Sequence, residues 1–89
     1  MTGDPHLDAL LSALLNEKGF WVRFTALDVG EDARDGSPVL RLERRDALPI
    51  VVRVNDEGFV VKIGDHAHKW CRLSIPDAVA MVMPPGAAS

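Results

Sequence analysis

The chain has 89 residues, a length that suits one domain with a single hydrophobic core. Hydrophobic residues make up 47% and charged residues 26% of the chain, which excludes intrinsic disorder of the whole. The formal net charge of −3 argues against a domain that mainly holds DNA or RNA, and the single cysteine, Cys71, excludes an internal disulfide.

No targeting or membrane segment is recognisable in the sequence. No apolar run approaches the ~20 residues that cross a bilayer, and residues 1–5 lack the basic start of a signal peptide. We therefore expect a cytoplasmic protein without a membrane partner. Residues 1–89 are predicted to form one small α+β domain, with about 1–4 and 84–89 as flexible termini.

The first predicted element is an amphipathic helix. Asp4 is a suitable N-cap before Pro5, and Gly19 after Lys18 ends the helix because glycine accepts the left-handed conformation. Leucines recur at i, i+3, i+4, i+7 and i+8, which makes one apolar stripe that can cover a sheet. These leucines are Leu7, Leu10, Leu11, Leu14 and Leu15.

Alternating side chains predict a first strand over residues 20–27. One face would carry Phe20, Val22 and Phe24, and the other would carry Trp21 and Arg23. A solvated loop over 28–38 is then expected, because glycines, acids and a closing proline interrupt the pattern. Its acids do not have the alternate spacing of a calcium loop, so we interpret them as solvated charge. They are Asp28, Glu31, Asp32 and Asp35.

Two further turns predict three strands with one consistent apolar face. Leu42 is paired with Leu48 across the first turn, and Val54 is paired with Phe59 across the second. The two registers agree in phase, so this face is the expected core and the first helix is its expected cover. Its residues are Leu40, Leu42, Leu48, Ile50, Val52, Val54, Phe59, Val61 and Ile63.

A last strand over 66–73 and a short helix over 78–83 complete the predicted fold. A two-residue turn at Gly64 is favoured because it buries Trp70 against Phe59. A three-residue turn would point His66, His68 and Trp70 to the other face. Ser74 is the expected N-cap of the short helix, which Pro84 and Pro85 would stop. The fold class is thus an N-terminal helix on a sheet of four or five antiparallel strands, with a short C-terminal helix.

A metal site at His66 and His68 is an alternative interpretation. Two histidines two apart on a strand share a face. Cys71 has the opposite parity, so a third ligand would have to come from His6 or from an acid elsewhere. Two ligands fall short of the three or four that a site needs, so neither a metal nor another cofactor is expected.

No catalytic residue is predicted. Cys71 and the serines Ser12, Ser37 and Ser74 lie in no recognisable nucleophile motif, and no base that would activate them can be assigned. A lone cysteine in an intracellular domain is most often a small buried apolar residue. The sequence therefore favours a protein that is not an enzyme.

The sheet face opposite the predicted core is the candidate binding surface. It mixes aliphatic and basic side chains with a tryptophan, a composition that protein interfaces favour. The alternatives are an ordinary solvated face and a weak nucleic-acid binder that stacks bases on Trp21. The candidate partner-binding residues are Trp21, Arg23, Arg41, Val51, Arg53, Val60, Lys62 and Lys69.

The order of helix, strands and terminal helix in an acidic chain is similar to that of bacterial secretion-chaperone-like domains, which pair up and hold client segments. The resemblance lies in element order and charge alone, so it transfers no site residue. It implies a small binding protein of adaptor, chaperone-like or regulatory type. The expected partner is another protein or a second copy of the chain.

Overall fold

The computed structural model describes residues 4–65 and 68–83. Within them a helix, a helical turn, five strands and a last helix follow one another, which confirms the predicted α+β arrangement. Segments 1–3 and 84–89, where flexible termini were predicted, lie outside the described residues. Residues 66–67 in the predicted last strand also lie outside them.

The first helix, α1, spans Pro5–Leu15 and begins as predicted. It ends before the predicted stop at Lys18 and Gly19, and Leu15 of the predicted apolar stripe is exposed. The Asp4 carboxylate accepts hydrogen bonds from the amides of His6 and Leu7 at 2.8 and 3.2 Å. These bonds satisfy two amides that have no partner inside the helix. Asp4 is therefore part of the folded domain, and the predicted flexible terminus does not reach it.

A four-residue helix, α2, spans Phe20–Arg23, so the predicted strand start at Phe20 is wrong. Gly19 precedes it with φ of +81°, a left-handed conformation that turns the chain after α1. Phe20 and Phe24 are buried with ring centroids 4.9 Å apart, whereas Val22 is exposed. The two phenylalanines are four residues apart, a spacing that fits one face of a helix as well as one face of a strand.

The strands pair with their neighbours in chain order, each antiparallel to the next. Because every connection joins adjacent strands, the sheet is a simple meander. The first strand continues into the stretch that was predicted to be a loop. The strands are β1 (Phe24–Glu31), β2 (Pro38–Arg44), β3 (Ile50–Asn55), β4 (Gly58–Ile63) and β5 (Lys69–Arg72).

The registers around β3 show one correct prediction and one error. Val54 pairs with Phe59, as predicted. Leu42 pairs with Ile50 rather than with Leu48, an error of two residues, and Leu48 lies exposed outside the strands. A shift of two residues preserves the face that each side chain occupies, so Leu42 is buried all the same.

The favoured turn at Gly64 is wrong, and the alternative parity of the last strand holds. Phe59 pairs with Cys71, and Val60 pairs with Trp70. The thiol therefore points into the core while the indole remains 55% exposed on the other face. Apolar residues of both parities occur in this strand, so alternation alone could not decide between the two turns.

The core lies between the inner face of the sheet and the helices α1 and α3 (Ile75–Val82). Ser74 takes the N-cap position of α3 as predicted, without a side-chain capping bond, and the helix begins three residues before the predicted Ala78. Both helices turn apolar stripes to the sheet. The buried residues are Leu7, Leu10, Leu14, Phe20, Phe24, Leu40, Leu42, Ile50, Val52, Phe59, Val61, Cys71, Ala78 and Val82.

Candidate interaction surface

The face of the sheet that points away from the core is built from two rows of side chains running across the strands. We call this surface the outer face. Because adjacent strands are antiparallel and in register, residues opposite each other share the face. The first row is Val39, Arg53, Val60 and Trp70, and the second row is Asp28, Arg41, Val51 and Lys62.

Five of the predicted surface residues meet on the outer face. They come from three neighbouring strands, and their registers alternate aliphatic and basic side chains. The valines among them are half-buried, so their methyl groups are partly covered by the long basic stems beside them. These residues are Arg41, Val51, Arg53, Val60 and Lys62.

The other three predicted residues lie elsewhere, so their placement on this face is wrong. Trp21 is in α2, 60% exposed, with its ring edge-to-face against Phe20 at 4.9 Å. Arg23 lines a groove beside α3 on the helical side of the sheet. Lys69 is opposite the buried Val61 and is therefore on the inner side of β5. The cause is the short helix α2 for Trp21 and Arg23, and the parity of β5 for Lys69.

Trp70 is the surface residue that sequence reasoning missed. It is opposite Val60 on the outer face and more than half of its surface is exposed. A usable signal was present, since a free cysteine is usually buried. Placing Cys71 in the core would have turned Trp70 outward.

The loop after β1 brings Asp32 onto this face, where its carboxylate is shielded, contrary to its interpretation as solvated charge, whereas Asp28, Glu31 and Asp35 are exposed. The Asp32 carboxylate is 2.9 Å from a guanidinium nitrogen of Arg53, and the Asp35 carboxylate is 3.8 Å from the other. The side chains of Asp32 and Arg53 are only 13% and 32% exposed. Two carboxylates thus share one cation on the outer face.

Hydrogen bonds inside the loop hold these carboxylates in place. The Asp32 amide donates to the Ser37 carbonyl at 2.7 Å, and the Gly36 amide donates to the Asp32 carbonyl at 2.8 Å. The Asp32 side chain also accepts from the Arg34 amide, and Asp35 accepts from the Ser37 amide at 2.9 Å. This last bond, aided by the Ser37 hydroxyl and by Arg53, lowers the pKa of Asp35 below its ordinary 3.8.

A concavity of about 280 Å³ lies between the loop and the outer face. Its floor includes Val51 and Val60, and the loop with Asp32 forms one wall. Arg41 and Lys62 also line it, and neither makes an ion pair with any residue that the structure describes. The concavity therefore combines an apolar floor with two basic groups that can still accept an anion.

The predicted alternative ligands and nucleophile do not assemble into a site within the described residues. His66 lies outside them, and His68 is exposed and lines the same concavity. No group of three histidine, cysteine or acidic side chains with metal-binding geometry occurs in 4–65 and 68–83. The Cys71 thiol is buried, and burial raises its pKa.

Comparison of the chain with protein-family models, with curated proteins and with solved structures finds no match. In the part of the chain that the structure describes, none of the helices has both the length and the apolar character needed to cross a bilayer.

Proposed function

We propose that this protein is a non-enzymatic binding protein whose outer face is the contact surface for a protein partner. The exposed Trp70 on a sheet face of valines and basic residues carries this proposal. Such a protein would act as an adaptor, a chaperone-like holder or a regulator. Its mechanism is surface complementarity rather than chemistry.

The composition of the outer face supports binding. Tryptophan and arginine are enriched at the energetic centres of interfaces, and an exposed indole contributes a large apolar area. Trp70 adjoins Val60, and the next row adds Val51 between two basic residues. A partner that covers this patch would bury apolar surface at its centre and leave charges at its rim, as typical interfaces do.

The chemistry of Cys71 supports a role other than catalysis. A cysteine acts as a nucleophile through its thiolate, and a raised pKa reduces the thiolate fraction at neutral pH. The thiol also points into the core, opposite Phe59, where no substrate can approach it. The most reactive side chain type in the sequence is thus placed as a packing residue.

The test compares the two tryptophans, because both are exposed and only one lies on the outer face. Untagged wild type, Trp70→Ala and Trp21→Ala would be compared by light scattering at two concentrations and by crosslinked capture from cell lysate. We expect Trp70→Ala to abolish self-association or the capture of partners that the wild type retains. Trp21→Ala should behave as the wild type.

Two results would overturn the proposal. One is an unchanged set of partners and an unchanged mass in folded Trp70→Ala. The other is a loss with Trp21→Ala alone, which would move the contact surface to α2. Circular dichroism of each variant confirms that a loss does not come from unfolding.

A further inference from the structure

The cations of the outer face fall into two groups. Arg53 is held by the carboxylates of Asp32 and Asp35. Arg41 and Lys62, in the neighbouring row, have no ion-pair partner among the described residues. Asp28 lies opposite Arg41 on β1, but its carboxylate accepts a hydrogen bond from the Val29 amide and makes no ion pair with Arg41. Ion pairs therefore hold one cation of this face and leave two available.

The two available cations flank one valine. Arg41 is opposite Val51 on one side, and Lys62 is opposite Val51 on the other. With strands about 4.8 Å apart, their Cα atoms are separated by roughly 10 Å. Residues i, i+2 and i+4 of an extended chain point to one side, and i and i+4 are separated by about 13 Å, a difference that the long Arg and Lys side chains can span. An extended segment with two acidic residues could thus reach both cations and place an apolar side chain over Val51.

The acidic loop already shows how this face holds carboxylates. Asp32 approaches Arg53 to 2.9 Å, and its side chain is largely buried against the face that carries Val60. The contact combines an ion pair with partial burial of both side chains, which strengthens it by partial removal of water. A foreign acidic segment would use the same combination one row away.

We infer that the partner bound by the outer face is an acidic polypeptide segment, whose carboxylates pair with Arg41 and Lys62 on either side of Val51. This inference rests on the proposed function and specifies the chemistry of its partner. The loop carboxylates of Asp32 and Asp35 act as an internal counterpart of that segment. Asp32 lines the same concavity, and both carboxylates repel an incoming anion, so they limit its affinity.

The experiment uses three labelled probes of equal length: a peptide with repeated glutamate and leucine, its glutamine counterpart, and a single-stranded oligothymidylate. Fluorescence anisotropy with the full chain at low salt gives each dissociation constant. We expect the acidic peptide to bind more tightly than the other two, and added salt to weaken it.

Paired variants locate the binding. Removing both available cations in Arg41→Ala/Lys62→Ala should raise the dissociation constant of the acidic peptide roughly tenfold, as expected for two partly exposed ion pairs. Lys18→Ala/Arg45→Ala makes the same charge change away from the outer face. Its dissociation constant should stay within about twofold of the wild-type value. Asp32→Asn/Asp35→Asn should tighten binding roughly threefold or more, whereas the charge-matched Glu17→Gln/Asp46→Asn should change it little.

The outcomes separate this inference from the proposed function. Equal binding of the acidic and glutamine peptides, or equal losses in the two cation pairs, would overturn the inference. If Trp70→Ala still abolished capture of native partners, the proposed function would stand without it. In a third outcome, the oligonucleotide binds more tightly than the acidic peptide and loses that binding in Arg41→Ala/Lys62→Ala. This result would overturn both the inference and the proposed function, and it would identify the outer face as a nucleic-acid surface.

Discussion

The two faces of the sheet are made from the same strands and have opposite environments. In β3, Val52 is fully buried under the helices, whereas its neighbour Val51 is half-buried beside two cations. In β4 the same contrast separates Val61 from Val60. Residues one position apart therefore differ in what they do. The inner face stabilises the fold, and the outer face leaves side chains exposed where we propose that a partner binds.

The largest expected effect compares the aromatic residues of the two faces. Phe59→Ala should lower the free energy of unfolding by about 3–5 kcal/mol, because it leaves a cavity in the packed core. Trp70→Ala should lower it by only about 1 kcal/mol, because just over half of Trp70 is exposed and truncation removes less buried contact. Urea unfolding followed by circular dichroism measures both. Equal losses would show that the outer face is also part of the stabilising core.

A matched valine pair sharpens the same comparison. Val52→Ala should cost about 2–3 kcal/mol of unfolding free energy, since both methyl groups leave a fully buried site. Val51→Ala, one residue away, should cost less than ~1 kcal/mol. The two variants have the same composition, so a difference in their urea midpoints comes only from the face of the sheet on which the valine lies. A reversed order would contradict the register of β3.

A smaller effect is expected for the ion pair that fastens the loop to the outer face. A double-mutant cycle of Asp32→Ala and Arg53→Ala should give a coupling energy of roughly 0.5–1 kcal/mol, the upper part of the range for partly exposed pairs. High salt should reduce this coupling. A coupling of zero would mean that the backbone bonds of the loop hold it without Arg53.

The smallest expected effect is the acid sensitivity of Asp35. Its pKa is lower in the folded protein than its ordinary 3.8, so its contribution to stability is present above pH 3.8 and is lost as the pH falls through the folded pKa. Urea midpoints of the wild type should therefore fall more steeply below pH 4 than those of Asp35→Asn. Parallel curves would show that Asp35 is not anchored by Ser37 in solution.

Local chemistry was sufficient for the helix and for the central hairpin. The Asp4 cap and the leucine stripe predict α1 because both depend on residues within one or two turns. The β3–β4 register followed from a short turn and from alternation, and Val54 pairs with Phe59 as expected. Even the error at Leu42 kept the correct face, because a shift of two residues does not change parity.

The candidate surface was harder to predict because its boundaries depend on distant contacts. The placement of four residues was wrong or missed: Trp21 and Arg23 are in α2 rather than in the sheet, Lys69 is on the inner side and Trp70 is on the outer face. Spacing alone could not separate these alternatives, since each pattern fits two periodicities or two turn lengths.

The sequence by itself determined the fold class, the inner face and the basic, aliphatic character of the opposite face, because these depend on periodic side chains within single elements. The tertiary structure alone decided that Phe20–Arg23 is helical and that Cys71 rather than Trp70 is buried. It also brought Asp32 to Arg53. That contact joins a loop residue to a residue of β3, and its formation depends on the path of the loop over the sheet, which no local pattern encodes.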